Sequence, residues 1–260
     1  METEEAFYSE EYAMNKPNRG VAIIINNVSF HPSTQMGERT GSDKDHKALK
    51  QRFKELEFDV REFKNLKRDD MESLMKKVAG ESHDNNDCFM CAMLSHGEEG
   101  TIYGFDGPIE IQRLIEPFKG HNCRSLAGKP KIFFIQACRG SKLDAGVEQQ
   151  DSKGSRESET IEYKVQRIPT EADFLIAYSV VPGYFSWRNS ANGSWFVQAI
   201  SEVFRKYGQK LDLMTLMTRV NKLVAYNFES NASKEYMTNK KQIPCITSML
   251  TKDVYFRSKN

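Results

Sequence analysis

The sequence predicts an α/β fold with a mostly parallel central sheet and helices on both faces. Three observations carry that reading. Short, predominantly apolar runs recur at residues 20–27, 88–94 and 131–135, the pattern of strands buried on both faces. Helical segments with apolar residues three and four apart lie between them. Neither Gly-x-Gly-x-x-Gly nor Gly-x4-Gly-Lys-Ser/Thr follows the first run, so a nucleotide-binding version of the fold is poorly supported.

The elements follow in order. Residues 20–27 form the first strand. Residues 42–56 form a helix that Ser42 can cap, with Asp45 at the capping-box position and Leu49, Phe53 and Leu56 as its apolar stripe. Residues 58–63 are the next strand, with Phe58, Val60 and Glu62 on one face. A helix over 69–79 turns Met71, Leu74, Met75 and Val78 inward. The strands at 88–94 and 131–135 come next, separated by a helix over 109–118 and a turn-rich segment over 120–130. Residues 141–166 are rich in Ser, Glu, Lys, Asp and Gln and read as an exposed, mobile connector that can be cut without disturbing either flank. Order resumes with a strand at 172–178, helices over 194–207 and 211–228, and strands over 244–250 and 254–256.

Composition bounds the function. The chain has 260 residues, 39% of them hydrophobic, enough for one large α/β core. The formal net charge is +1, from 37 basic and 36 acidic residues, which gives no global nucleic-acid footprint. No apolar run approaches the length of a membrane span. The acidic start Met1-Glu2-Thr3-Glu4-Glu5 is unlike a secretory signal. Five widely spaced cysteines argue against a disulfide framework, so the cytoplasm is the expected compartment, with the nucleus as a second. Cys88-x-x-Cys91 has no matching second pair and lies within a strand, which favours buried thiols over a zinc site.

Two buried runs end in reactive side chains. One leads into Ser95-His96-Gly97 and the other into Gln136-Ala137-Cys138-Arg139-Gly140. An imidazole near a thiol can remove its proton during attack and later protonate a leaving amine. The backbone N–H groups of Gly97 and Cys138, where strands open into loops, are natural donors to an oxyanion. Glycine at 97 keeps a side chain out of the way. No acidic residue presents itself as a third member, and a backbone carbonyl can orient the other imidazole nitrogen instead.

Over residues 12–257 the chain resembles a caspase of the executioner, or effector, type. The matching pieces are Met36-Gly37-Glu38-Arg39-Thr40-Gly41, Leu94-Ser95-His96-Gly97, the cysteine pentapeptide, Pro182-Gly183-Tyr184-Phe185-Ser186-Trp187-Arg188-Asn189, Gly193-Ser194-Trp195-Phe196 and Lys241-Gln242-Ile243-Pro244-Cys245-Ile246. The resemblance implies a caspase-like three-layer sandwich, assembled as a dimer of large-plus-small subunit units. It divides the chain into a short flexible segment (1–19), a large-subunit core (20–140), an intersubunit linker (141–166) and a small-subunit part (167–260). It implies a cysteine endopeptidase that cuts after aspartate, an effector of apoptosis activated by cleavage of its linker, with no cofactor or metal. A catalytically weak or inactive scaffold of the same fold is the alternative. Retention of His96, Cys138, Arg39 and Arg188 speaks against it.

Carried onto this sequence, Cys138 is the nucleophile, His96 the acid/base, Gly97 and Cys138 the oxyanion donors, and the Gly37 carbonyl the orienter of the imidazole. Arg39, Gln136 and Arg188 clamp the P1 carboxylate, a task for which two guanidinium forks are suited. Arg188 and Ser186 bind the substrate backbone, which lies as an added strand against residues 184–190. Phe185, Trp187 and Met237 resemble the P2 wall. Trp187, Trp195 and Asn189 resemble parts of the P4 pocket. Executioners with a strong Asp preference at P4 carry aromatics near positions 231 and 237, where this chain has Asn231 and Met237, so tolerance of both Asp and apolar P4 residues is expected. In the linker, Asp151 is the best processing site, with Asp144 the second. The 19 N-terminal residues contain no Asp, so aspartate-specific removal of a prosegment is not expected. Implied partners are protein substrates, a second copy of the chain through the apolar strand over 243–250 with Thr247 near the axis, an upstream activating caspase and protein inhibitors, but no nucleic acid or membrane.

Overall fold

The computed structural model describes residues 9–145, 171–231 and 235–259. In chain order its elements begin with β1 (Val21–Asn26), α1 (Ser42–Glu55), β2 (Asp59–Lys64), α2 (Arg68–Ala79) and β3 (Phe89–Leu94). Three short strands follow, β4 (Gly97–Glu98), β5 (Thr101–Gly104) and β6 (Gly107–Glu110), then α3 (Ile111–Ile115) and β7 (Lys131–Gln136). The remainder is β8 (Phe174–Tyr178), β9 (Arg188–Asn189), β10 (Gly193–Ser194), α4 (Trp195–Tyr207), α5 (Leu213–Asn227) and β11 (Cys245–Ser248).

Six strands form the central sheet in the order β11-β8-β7-β3-β1-β2. All neighbours run parallel except β11, which is antiparallel to β8. Every residue of β1, β3 and β7 is buried, because helices cover both faces. Phe53 of α1, Phe196 of α4 and Val220 of α5 pack with Ile24 and Phe134 on one face. Met71 and Met75 of α2 and Leu114 of α3 pack with Ile23 and Phe133 on the other. Each such side chain contributes about 1.5–3 kcal/mol of burial before entropy. Cys88 and Cys91 belong to opposite faces, so they cannot converge on one ion.

Several expectations are corrected. The helix over 109–118 is shorter, because Pro108 and Ile109 belong to β6, where burial alternates, and a 3-10 turn at Glu116–Phe118 ends the helical run. The β4–β5–β6 hairpins had no signal in the sequence beyond scattered glycines. Residues 254–256 are not a strand. Val254 and Phe256 are buried, but the Val254 carbonyl accepts from Leu213 N at the start of α5. Residues 9–19 are held rather than loose: Tyr12 Oη donates to Asp173 Oδ1 at 2.7 Å, and buried Arg19 pairs with Asp87 at 3.2 Å. The first residues of the linker are also fixed. Phe185 N donates to the Lys142 carbonyl and Lys241 N to the Asp144 carbonyl, both at 2.9 Å, while Leu143 packs on the core. Asp151 and the rest of the linker to residue 166 lie outside the described residues.

Candidate active site

The site forms where parallel strands end, the edge at which open α/β sheets bind ligands. The register sets Leu94 of β3 opposite Gln136 of β7. Ser95 N donates to the Gln136 carbonyl at 3.1 Å, so His96 and Cys138 leave neighbouring strands abreast. A Cβ on Gly97 would lie 2.8 Å from Ala137 Cβ and 3.0 Å from the Cys138 carbonyl oxygen. Glycine is therefore needed there for close approach of the two chains, a reason beyond the one read from sequence. The Tyr103 N–H of β5 donates to the His96 carbonyl at 2.9 Å, which gives the unpredicted hairpins a role in fixing the histidine.

The His96 ring lies 4.9 Å from Phe30, and its Nε2 is 2.8 Å from the Gly37 carbonyl. That carbonyl can only accept, so Nε2 carries the proton and Nδ1 is the basic nitrogen. Nothing packs against Gly37 at its Cβ position; its contact with the imidazole is made by the carbonyl alone. The Cys138 sulfur receives the Ser186 N–H at 3.5 Å. No hydrogen bond joins the two reactive side chains, a looseness common before substrate binds. Burial pushes the thiol up, opposed by the Ser186 N–H and by Arg188 and Arg39. Burial pushes the imidazole down, opposed by the Gly37 carbonyl. Both shifts run toward the uncharged thiol and the uncharged imidazole.

Two arginine charges, those of Arg188 and Arg39, act on the sulfur. Arg39 is fully buried. Its Nη1 donates to the Asn27 carbonyl at 3.0 Å and to Ser42 Oγ at 2.7 Å. Its Nε and Nη2 have no partner, and neither does Gln136 Oε1. Burial lowers the Arg39 guanidinium to about 9, with Arg188 lowering it further and Asp45 opposing. Arg188, in β9, donates from Nε to the Thr40 carbonyl at 2.9 Å, and burial lowers it too. Ser42 does not cap α1. Gly41, at φ 85°, is the cap residue, and the Ser42 hydroxyl bridges Arg39 to Asn26. Asp45 likewise forms no capping box; it accepts from Ser194 N.

Ser186 is buried, and its hydroxyl receives Gln136 Nε2 at 2.8 Å. Trp187 and Trp195 stack with ring centres 5.6 Å apart. Phe185 meets Trp187 edge-on at 5.2 Å. Phe228, which sequence reasoning passed over as a helix end, stacks on Trp195 at 5.5 Å and extends the row. Met237, in a 3-10 turn, packs against the same cluster. Asn189 is exposed, and its Oδ1 accepts from Ala191 N and Asn192 N, so its side chain shapes the turn before β10. Asn231 is exposed. Gln242 was also missed: its Oε1 accepts from Trp187 N at 2.7 Å and its Nε2 donates to the Ser179 carbonyl at 2.6 Å. Its only sequence signal was membership of the 241–246 block.

Fold and site together define a cysteine peptidase built on a parallel sheet. The family model described as Caspase domain matches residues 19–255. Caspase-7 of Gallus gallus is 49% identical over 246 residues, covering 95% of this chain and 80% of the relative. Caspase-3 of Mus musculus is 48% identical over 250 residues, covering 96% and 88%. The crystal structure of Caspase-1 from Spodoptera frugiperda superposes with a TM-score of 0.90 at 42% identity, covering 100% of this chain and 97% of that one. The chain belongs to the caspase family. It is an aspartate-specific cysteine endopeptidase of effector type, acting on proteins in apoptosis. No described helix is long and apolar enough to cross a membrane.

Proposed function

We propose that Cys138 attacks the carbonyl carbon of a P1 aspartate while His96 Nδ1 takes the thiol proton. The tetrahedral oxyanion is held by the N–H groups of Gly97 and Cys138. His96 then gives its proton to the leaving amine, and the carbon–nitrogen bond breaks to leave a thioester. Water, deprotonated by His96, attacks the thioester, and the sulfur departs with that proton. Arg39 carries the specificity reading. Its unpartnered Nε and Nη2 offer a carboxylate two parallel hydrogen bonds in a desolvated pocket, where an apolar P1 side chain would leave them unmet. Turning the Gln136 amide over lets the Ser186 hydroxyl donate to Oε1 and frees Nε2 for the same carboxylate. Arg188 completes the clamp.

A tetrapeptide reporter ending in aspartate tests this against its asparagine isostere. The reading expects a kcat/KM ratio of about 10⁴-fold or more, the scale at which a site built to pair one polar group rejects an analogue that leaves it unpaired; equal rates would refute it. The peptide lies along residues 184–190, with P2 against Phe185, Trp187 and Met237, and P4 near Trp187, Trp195, Asn189 and Asn231. The same reporter varied at P4 reads the expected tolerance of Asp and apolar residues.

The acid limb of kcat/KM should fall below the ordinary imidazole value of about 6.5. A protonated imidazole cannot take the thiol proton, so activity is lost as pH drops through the His96 pKa, which burial has lowered. A limb at neutral pH or above in the free enzyme would contradict that.

Activation follows cleavage at Asp151, the stronger of the two linker sites, since the Asp144 backbone is engaged by Lys241. An upstream caspase makes the cut, the enzyme works in the cytoplasm and also in the nucleus, and protein inhibitors are among its partners. Asp151→Ala should leave the chain uncut and at least about tenfold less active, a shift of about 1.4 kcal/mol in the ordering of the 184–190 loop. Equal activity of cut and uncut protein would remove this account. Two copies pair across the open edge of β11, where Thr247 and Ser248 are exposed, giving a twelve-stranded sheet from two six-stranded ones with Thr247 near the axis. Sedimentation of the cut enzyme as a monomer at working concentration would exclude it.

A further inference from the structure

Arg188 sits on a two-residue strand, and something must hold that strand beside Arg39. Ser194 of β10 pairs with Arg188 of β9 in an antiparallel register, so the position of β10 sets that of Arg188. The Ser194 N–H donates to Asp45 Oδ1 at 2.8 Å. Asp45 lies in the first turn of α1, the helix that begins just past Arg39, and is 1% exposed. Gly193, at φ 89°, makes the contact possible, because a Cβ there would lie 2.2 Å from Asp45 Oδ1. A second contact reinforces the docking: Arg188 Nε reaches the Thr40 carbonyl.

We propose that Asp45 is a positioning residue for substrate recognition, its carboxylate tying the β9–β10 hairpin to α1 so that Arg188 stands beside Arg39. The inference rests on reading Arg39 and Arg188 as the P1 clamp. The remaining oxygen, Oδ2, is buried and has no hydrogen-bond partner, an arrangement that costs stability and is retained at functional sites. Burial raises the Asp45 carboxyl to about 6, with the Ser194 N–H, Arg39 and Arg188 holding it down. Its charge would weaken the attraction of the two arginines for a P1 carboxylate, so the tether is the contribution that favours binding. Asn at position 45 keeps an oxygen for Ser194 N and removes the charge; Ala removes both.

The experiment is steady-state kinetics of the cut enzyme on a chromogenic tetrapeptide ending in aspartate, with thermal melting of each variant. Asp45→Ala should raise KM about tenfold with kcat within about threefold, since a displaced clamp loses binding shared by ground and transition states. Asp45→Asn should restore KM to within about twofold of wild type. A lower melting temperature in Asp45→Ala with unchanged KM would make the residue merely structural and overturn the proposal, as would an Asn variant as defective as Ala. Should Asp45→Ala not fold, Asp45→Glu takes its place. Its extra methylene pushes Ser194 away, so KM should rise, and a wild-type KM would overturn the tether. Failure of the wild type to cut the peptide would instead sink the aspartate clamp itself.

Discussion

Arg39→Met should slow cleavage after aspartate by orders of magnitude and at the same time raise the melting temperature. The two effects have one cause. Arg39 is a fully buried cation with two N–H groups lacking partners. Burial has pulled its guanidinium down to about 9, a depression worth several kcal/mol. The sign follows from linkage. At neutral pH the guanidinium is charged in both folded and unfolded chains, so the desolvation penalty is present in full there. Methionine fills similar volume without a charge. The loss of the Nη1 bonds to Asn27 and Ser42 and of the charge that holds the buried Asp45 carboxyl down offsets part of the gain. A net stabilisation of about 1–2 kcal/mol remains, which in a chain of this size is several degrees at about 2–4 °C per kcal/mol. Against this, kcat/KM on an Asp-ending peptide should fall by about 10²–10³-fold, the cost of truncating one partner of a desolvated charge pair. Melting curves and reporter kinetics on one preparation check both. A variant less stable than wild type would mean that the pocket is not strained, and one still selective for aspartate would mean that Arg39 is not in the clamp.

Cys138→Ala should lose turnover by at least about 10³-fold while melting within about 2 °C of wild type, because removing a catalytic nucleophile costs 10³–10⁶ in rate. The sulfur's hydrogen-bond contacts are the Ser186 N–H at 3.5 Å and the Ser186 carbonyl at 3.9 Å, too long to carry much stability. A folded Cys138→Ala protein that still turns over the reporter would take the nucleophile away from this position and reopen the reading of the chain as a scaffold.

The strands that carry chemistry were legible because burial on both faces leaves an uninterrupted apolar run. The ends of β3 and β7 pointed to His96 and Cys138, but that the two ends are neighbours was a condition which only the register of the sheet supplies. Arg39 could not be recognised without family resemblance. Between Glu38 and Thr40 it looks like a solvated side chain, and its burial depends on α1 closing over Asn26 and Asn27. The caps at Ser42 and Asp45 were misread for a related reason. Both residues fit a local helix-start pattern, yet each is engaged by a group outside the helix, Asn26 and Arg39 for one and Ser194 for the other. Gln242 and Phe228 likewise act across long sequence separations that leave no periodicity. The β4–β6 hairpins were invisible because in strands of two to four residues an alternation is too brief to stand out from the sequence around it. Residues 254–256 show the reverse: a real alternation of burial whose backbone partner is the start of α5 rather than a strand.

The most direct measurement is a crystal structure of the cut enzyme with a tetrapeptide aldehyde ending in aspartate. The account predicts a covalent bond from Cys138 Sγ to the aldehyde carbon, with the aspartate carboxylate on Arg39 Nε and Nη2 and on Arg188. The aldehyde on another residue, or its carboxylate in solvent with Arg39 still unpartnered, would contradict it.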